Sequence, residues 1–73
     1  MFQRWCQFTA SSVIDKADYD PESSTLRVAF LNGAIWDYSH VPSEIYGLLV
    51  ASPSAGKRYN YLIKGKYEGV KVT

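Results

Sequence analysis

The sequence predicts an α+β domain: a three-stranded antiparallel meander followed by two short helices on one face, with a possible extra N-terminal strand. Three observations carry this order. Leu26, Val28 and Phe30 alternate with Arg27 and Ala29, the period of a half-buried strand. Asn32-Gly33 follows at once and supplies the residues that tolerate positive φ in a hairpin turn. Apolar residues at helical spacing then follow Pro42 and Pro53. Strands first and helices after are the α+β pattern.

Each element has its own local reason. Phe2, Cys6 and Phe8 share a parity, interrupted by Arg4, which suggests an edge strand or an arm. Residues 12–19 are strand-like, with Val13, Ala17 and Tyr19 in phase and Ile14 out of phase. A bulge or a short twist is expected there, to restore the phase of Ile14. Asp20-Pro21-Glu22-Ser23-Ser24 is a turn, because Pro21 fixes φ and the Asp and Ser side chains can bond nearby amides. Ala34–Ser39 returns as the partner of the Leu26–Phe30 strand. Pro42 fits a helix N1 position, and Ile45, Leu48 and Leu49 form the apolar stripe behind it. Ser52 or Ser54 caps a second helix that runs to about Lys64, with Tyr59, Leu62 and Ile63 inside and Gly65 as its stop. The tail from Lys66 to Thr73 is a short strand or an arm. The predicted core is Leu26, Val28, Phe30, Ile45, Leu49, Tyr59 and Ile63.

Size and composition narrow the function. A chain of 73 residues is enough for one domain, spanning 1–73. At this length only ~60% of the unfolded surface is buried, so the core is small. Apolar residues at 47% and aromatics at 15% argue against disorder. Cys6 is the single cysteine, so neither an internal disulfide nor a cysteine-based zinc site is available. No apolar run approaches the ~20 residues of a membrane span. The N-terminus lacks a signal-peptide core. The expected setting is soluble and cytoplasmic. Net charge is +1, but unevenly spread. Residues 1–44 carry three Lys/Arg against six Asp/Glu, net −3, and residues 45–73 carry five against one, net +4.

No catalytic, metal or cofactor site is expected. His40 is the only histidine. Asp37 could orient it, but no Ser or Cys nucleophile is paired with it in the sequence. Asp15, Asp18, Asp20 and Glu22 lack the spacing and glycine of a calcium loop and are expected to form a solvated strand face and turn. Ser54-Ala55-Gly56-Lys57 is a fragment of a phosphate-binding loop without its upstream glycine or its Lys-Ser/Thr pair. The amides of that helix start, with Ser54 and Gly56, remain candidates for holding a phosphate.

Two registers are open for the hairpin. A two-residue Asn32-Gly33 turn puts Trp36 and Tyr38 beside Arg27 and Ala29, as an aromatic platform suited to stacking bases. A three-residue turn with a Gly33 bulge pairs Phe30 with Ala34, sends Trp36 and Tyr38 into the core and points Asp37 to water. The second is favoured, because the first buries Asp37 among aliphatic side chains at a cost on the order of several kcal/mol.

The second helix carries the better binding signal. At about 100° per residue, Lys57, Tyr61 and Lys64 fall within about 60° of one another, away from Tyr59 and Ile63. Arg58 flanks them and Lys66 extends the patch. Cations can meet phosphates while the ring stacks on a base.

Asn32-Gly33, Trp36-Asp37-Tyr38, Val41-Pro42, Ser54-Ala55-Gly56, Tyr59-Asn60, Ile63-Lys64 and Tyr67 follow one another at characteristic spacings. With Ser11-Ser12, Tyr19-Asp20 and the Leu26-Val28-Phe30 alternation upstream, they make the chain resemble the KTSC family over about residues 11–67. This is a family of small domains named after a C-terminal extension of some lysyl-tRNA synthetases. The family pattern has tyrosine at both positions of the aromatic pair, whereas here the first is Trp36. The synthetase association implies RNA, tRNA-like or single-stranded, as a partner. The expected function is a non-enzymatic RNA-binding module using Lys57, Arg58, Tyr61, Lys64 and Lys66. The alternative is a protein–protein interaction module, such as a homodimer formed through a strand edge or the Phe2-Trp5-Phe8 arm.

Overall fold

The computed structural model describes Phe2, residues 5–8 and residues 12–73. Arg4, which interrupts the N-terminal alternation, and Ser11, which opens the family-like segment, lie outside the described residues. Five antiparallel strands form one sheet in sequence order: β1 Cys6–Gln7, β2 Ile14–Asp20, β3 Thr25–Phe30, β4 Ile35–Tyr38 and β5 Gly69–Lys71. Helices α1 Ser43–Val50 and α2 Ala55–Leu62 lie between β4 and β5 in the chain. The meander and the helix pair stand as predicted, with the extra N-terminal strand present. The tail resolves into a fifth strand on β4.

The β3–β4 turn takes the three-residue form. Phe30 N donates to Ala34 O at 2.8 Å, and Gly33 N donates to Phe30 O at 3.0 Å. Asn32 Oδ1 accepts from Ala34 N at 2.9 Å. Gly33 has φ +93°, a conformation that side-chain-bearing residues rarely adopt. Leu26 therefore faces Tyr38, Arg27 faces Asp37 and Val28 faces Trp36. Tyr38 is buried, while Trp36 is half-buried at the edge of the core. Asp37 lies outside the core but is only partly exposed. Arg27 Nε and Nη2 donate to its two carboxylate oxygens at 2.7 and 2.9 Å on the outer face.

The expected bulge lies between Ile14 and Lys16, opposite the step from Phe30 to Ala29. It turns Ile14 inward to full burial and leaves Val13 exposed.

The core gathers on one face. Leu26, Val28, Leu49 and Ile63 are fully buried with Ile14 and Val41, and Tyr59 is buried beside them. Phe30 and Ile45 are only half-buried, because one lies at the hairpin end of the sheet and the other in the first turn of α1. Leu48 is exposed and Leu62 half-buried, so the inner stripe of each helix is narrower than predicted. Pro42 occupies the N-cap position of α1, one residue earlier than expected. The N-cap of α2 is Ser54, whose amide donates to Ser52 Oγ at 3.0 Å. The helix ends at Leu62, two residues early, and Gly65 follows at φ +77°.

Tyrosines join the layers. Tyr19 stacks on Tyr46 at 5.3 Å and donates to Val41 O at 2.6 Å, tying β2 to α1 and the loop before it. The hydroxyls of Tyr38 and Tyr59 are hydrogen-bonded, tying β4 to α2. Burial, and then this bond, raise the Tyr38 phenol above its ordinary value.

Two predictions follow from this packing. A Cβ at Gly69 would lie 2.6 Å from Tyr38 Cε1. Gly69→Ala should therefore destabilise by about 1–3 kcal/mol. In hydrogen exchange it should deprotect the Val72 amide, which donates to Ile35 O at 2.8 Å. The second concerns alkali. The folded state holds the Tyr38 proton more tightly than the unfolded chain does. That contribution is complete below about pH 10 and declines as pH rises above it. Tyr38→Phe should lower stability at neutral pH by about 1–3 kcal/mol and make the alkaline decline shallower, as read by denaturant titration across pH.

Candidate functional site

The amino end of α2 forms an open groove of about 460 Å³, lined by Ser52, Pro53, Ser54, Lys57, Arg58, Tyr61 and Leu62. Four residues singled out from the sequence, Ser54, Lys57, Arg58 and Tyr61, thus share one surface. Spacings of three and four residues put them on one flank of the helix, while Ala55 and Tyr59 face the core. Tyr61 is 77% exposed, a large ring held in water. Gly56, Lys64 and Lys66 do not line the groove. Lys64 and Lys66 are exposed beyond the helix end. Ser52, Pro53 and Leu62 join the site unforeseen. In the sequence Ser52 reads as the helix cap, a place that Ser54 takes in the structure, and Leu62 reads as core.

The electrostatics of this end are one-sided. A helix N-terminus carries partial positive charge and amides without intrahelical acceptors. The first turn of α2 has no acidic residue. Lys57 and Arg58 add two cations where the helix dipole disfavours them. An anion in the groove would relieve both.

A larger cavity, of about 610 Å³, lies by β1 and α1, lined by Trp5, Cys6, Asp18, Tyr19, Pro21, Ser43 and Tyr46. It does not suit an anion. The Asp18 carboxylate is part of its lining, and burial, followed by Cys6 and Asp18, raises the Tyr46 phenol above its ordinary value. Asp18 corrects an expectation: it is 6% exposed rather than solvated. Its Oδ1 accepts from Tyr19 N at 2.8 Å. The carboxylates around it have separate duties. Asp15 accepts from the Gln7 side chain, and Asp20 accepts from Glu22 N and Ser23 Oγ. Among the described residues, no His, Cys, Asp and Glu side chains cluster as metal ligands. His40 is exposed at φ +58°, and Asp37 is engaged with Arg27.

The outer face of the sheet is occupied. The Phe2 ring lies 4.2 Å from Arg27 Cζ, and the Trp5 ring 4.9 Å from Lys16 Nζ. Phe8 packs against the core. The arm's rings therefore make contacts within the chain. The platform of Trp36 and Tyr38 beside Arg27 does not form, because both aromatics lie on the opposite face. No helix among the described residues is long and apolar enough to cross a membrane.

Sheet, helix pair and aromatic hairpin together define a KTSC domain. The family model for that domain matches residues 10–67, and the chain belongs to this family. A protein of Tsukamurella paurometabola is 37% identical over 60 residues, covering 82% of this chain and 90% of the relative. A lysine–tRNA ligase of Nostoc punctiforme is 35% identical over 57 residues. That match spans 78% of this chain but only 10% of the ligase. The crystal structure of a KTSC domain protein from Yersinia pestis superposes with a TM-score of 0.86 at 27% identity, covering 96% of this chain and 97% of that one.

Proposed function

We propose that the chain is a non-enzymatic RNA-binding module, acting in the cytoplasm, that grips the phosphate backbone with the amino end of α2. One observation carries this reading: Lys57, Arg58 and the exposed ring of Tyr61 line a single groove at a helix N-terminus without an acidic side chain in its first turn. Lys57 and Arg58 meet phosphates, and Tyr61 stacks on a base. Ser54 and Gly56 bring the first-turn amides to a phosphate. Lys64 and Lys66 extend the positive field along the strand. The lysine–tRNA ligase relative supports RNA, tRNA-like or single-stranded, as the anion.

A second reading, self-association through a sheet edge, is favoured by the exposure of Val70 and Val72 on and beside β5, at 56% and 44%. The two readings separate by salt. RNA binding must weaken steeply as salt rises, whereas apolar pairing does not.

The test is RNA affinity at several salt concentrations. Lys57→Ala and Lys64→Ala should each weaken binding across sequences and flatten the log–log salt slope by about one unit. Tyr61→Ala should cost about 1–3 kcal/mol of affinity with little change in slope. All three side chains are exposed, so melting should stay near that of the parent. Binding at only the non-specific level near physiological salt, or binding indifferent to the triple change, would overturn this reading.

A further inference from the structure

The inner face of the sheet keeps an open recess of about 310 Å³, lined by Phe30, Asn32, Ala34, Trp36, Tyr38 and Tyr59. Four of these six residues are aromatic, so its walls are ring faces and edges rather than aliphatic surface. Three of the rings hold one another in place. Tyr59 meets Phe30 edge-on at 5.3 Å and 81°, and meets Tyr38 at 5.9 Å and 66°. The hydroxyls of Tyr38 and Tyr59 bond to each other. The slot is thus organised before any ligand arrives, which lowers the entropy lost on binding.

The rim carries polar groups suited to a flat heteroaromatic ring. The Asn32 side-chain oxygen is committed to the Ala34 amide, so its NH₂ serves as the donor at the recess. Lys71 stands across the β4–β5 pair from Trp36, on the same face, and is exposed. Tyr59 is a wall of the recess, while Lys57, Arg58 and Tyr61 line the groove on another side of the same helix. A helix with its side chains is about 10–12 Å across. A few nucleotides of extended strand cover that distance.

We propose that this recess receives one unpaired nucleobase of a single-stranded RNA, stacked against Trp36, with the Asn32 amide donating to a base acceptor and Lys71 beside the phosphate. This rests on the RNA reading of α2 and adds a second contact point to it. Single-stranded RNA is recognised through splayed bases on aromatic side chains. Proline-rich peptides also use aromatic slots, but their backbone carries no phosphate for Lys71 to meet.

The experiment uses the full chain with Trp5→Phe, which leaves Trp36 as the only indole and keeps an aromatic ring beside Lys16. The probes are ten-nucleotide single strands of uridine and of adenosine. Trp36 emission should be quenched on binding, and its access to iodide should fall. Trp36→Leu should weaken binding roughly ten-fold at an unchanged salt slope, and Trp36→Phe should restore most of it. Binding that depends on Lys57 and Lys64 while Trp36 emission and iodide access stay constant would overturn the recess and leave the α2 reading standing. Absence of RNA binding would overturn both. Quenching by a proline-rich peptide but not by either oligonucleotide would assign the recess to a protein partner instead. The quenching measurement needs no core substitution, so an unfolded Trp36 variant does not blunt the test.

Discussion

One residue in the length of the β3–β4 turn decides most of this molecule. In a strand, a shift of one position moves every side chain to the other face. The Leu31-Asn32-Gly33 turn sets Phe30 against Ala34, and from that point the rest is forced. Tyr38 comes inward, where its hydroxyl meets Tyr59 and fixes α2 over the sheet. Asp37 goes outward, where Arg27 receives it with a two-pronged bond. Trp36 comes to the open end of the inner face rather than to the polar side. The alternative register would have buried a carboxylate and left the ring contact and hydroxyl bond between Tyr38 and Tyr59 unmade.

That register was legible in the sequence because its competitor carries a large, identifiable penalty. The bulge near Ile14 was legible for a similar reason, since an isoleucine out of phase with a strand must be brought back to the core. The cations of α2 were legible because helical geometry converts spacing directly into a shared flank. The residues that escaped are those whose surroundings come from distant parts of the chain. Nothing near Asp18 signals that it will be buried. Leu48 and Leu62 obey the helical period, yet the sheet is too small to cover the full width of either helix. Ser52 and Pro53 enter the groove only because the link between the helices folds back along α2.

The two faces of the sheet divide the aromatic residues by role. On the outer face, Phe2 and Trp5 lie over cations and shield them from water, a use in which the ring supports charge. On the inner face, tyrosines act as struts, with one end apolar and the other hydrogen-bonded to a neighbouring layer. Tyr61 follows neither pattern, and its exposure beside Lys57 and Arg58 is what sets the α2 groove apart from the rest of the surface.

The two margins of the sheet are unequal. The Phe8 amide bonds to Asp15 O, so alternation along β2 turns Tyr19 N–H toward the β1 side. There it is satisfied by Asp18, and β1 itself is two residues long. The opposite margin is β5, with exposed valines on and beside it. Open-ended growth of a ribbon requires the front of one copy to join the back of the next. A β1 margin only two residues long, with the Asp18 carboxylate beside it, disfavours that junction.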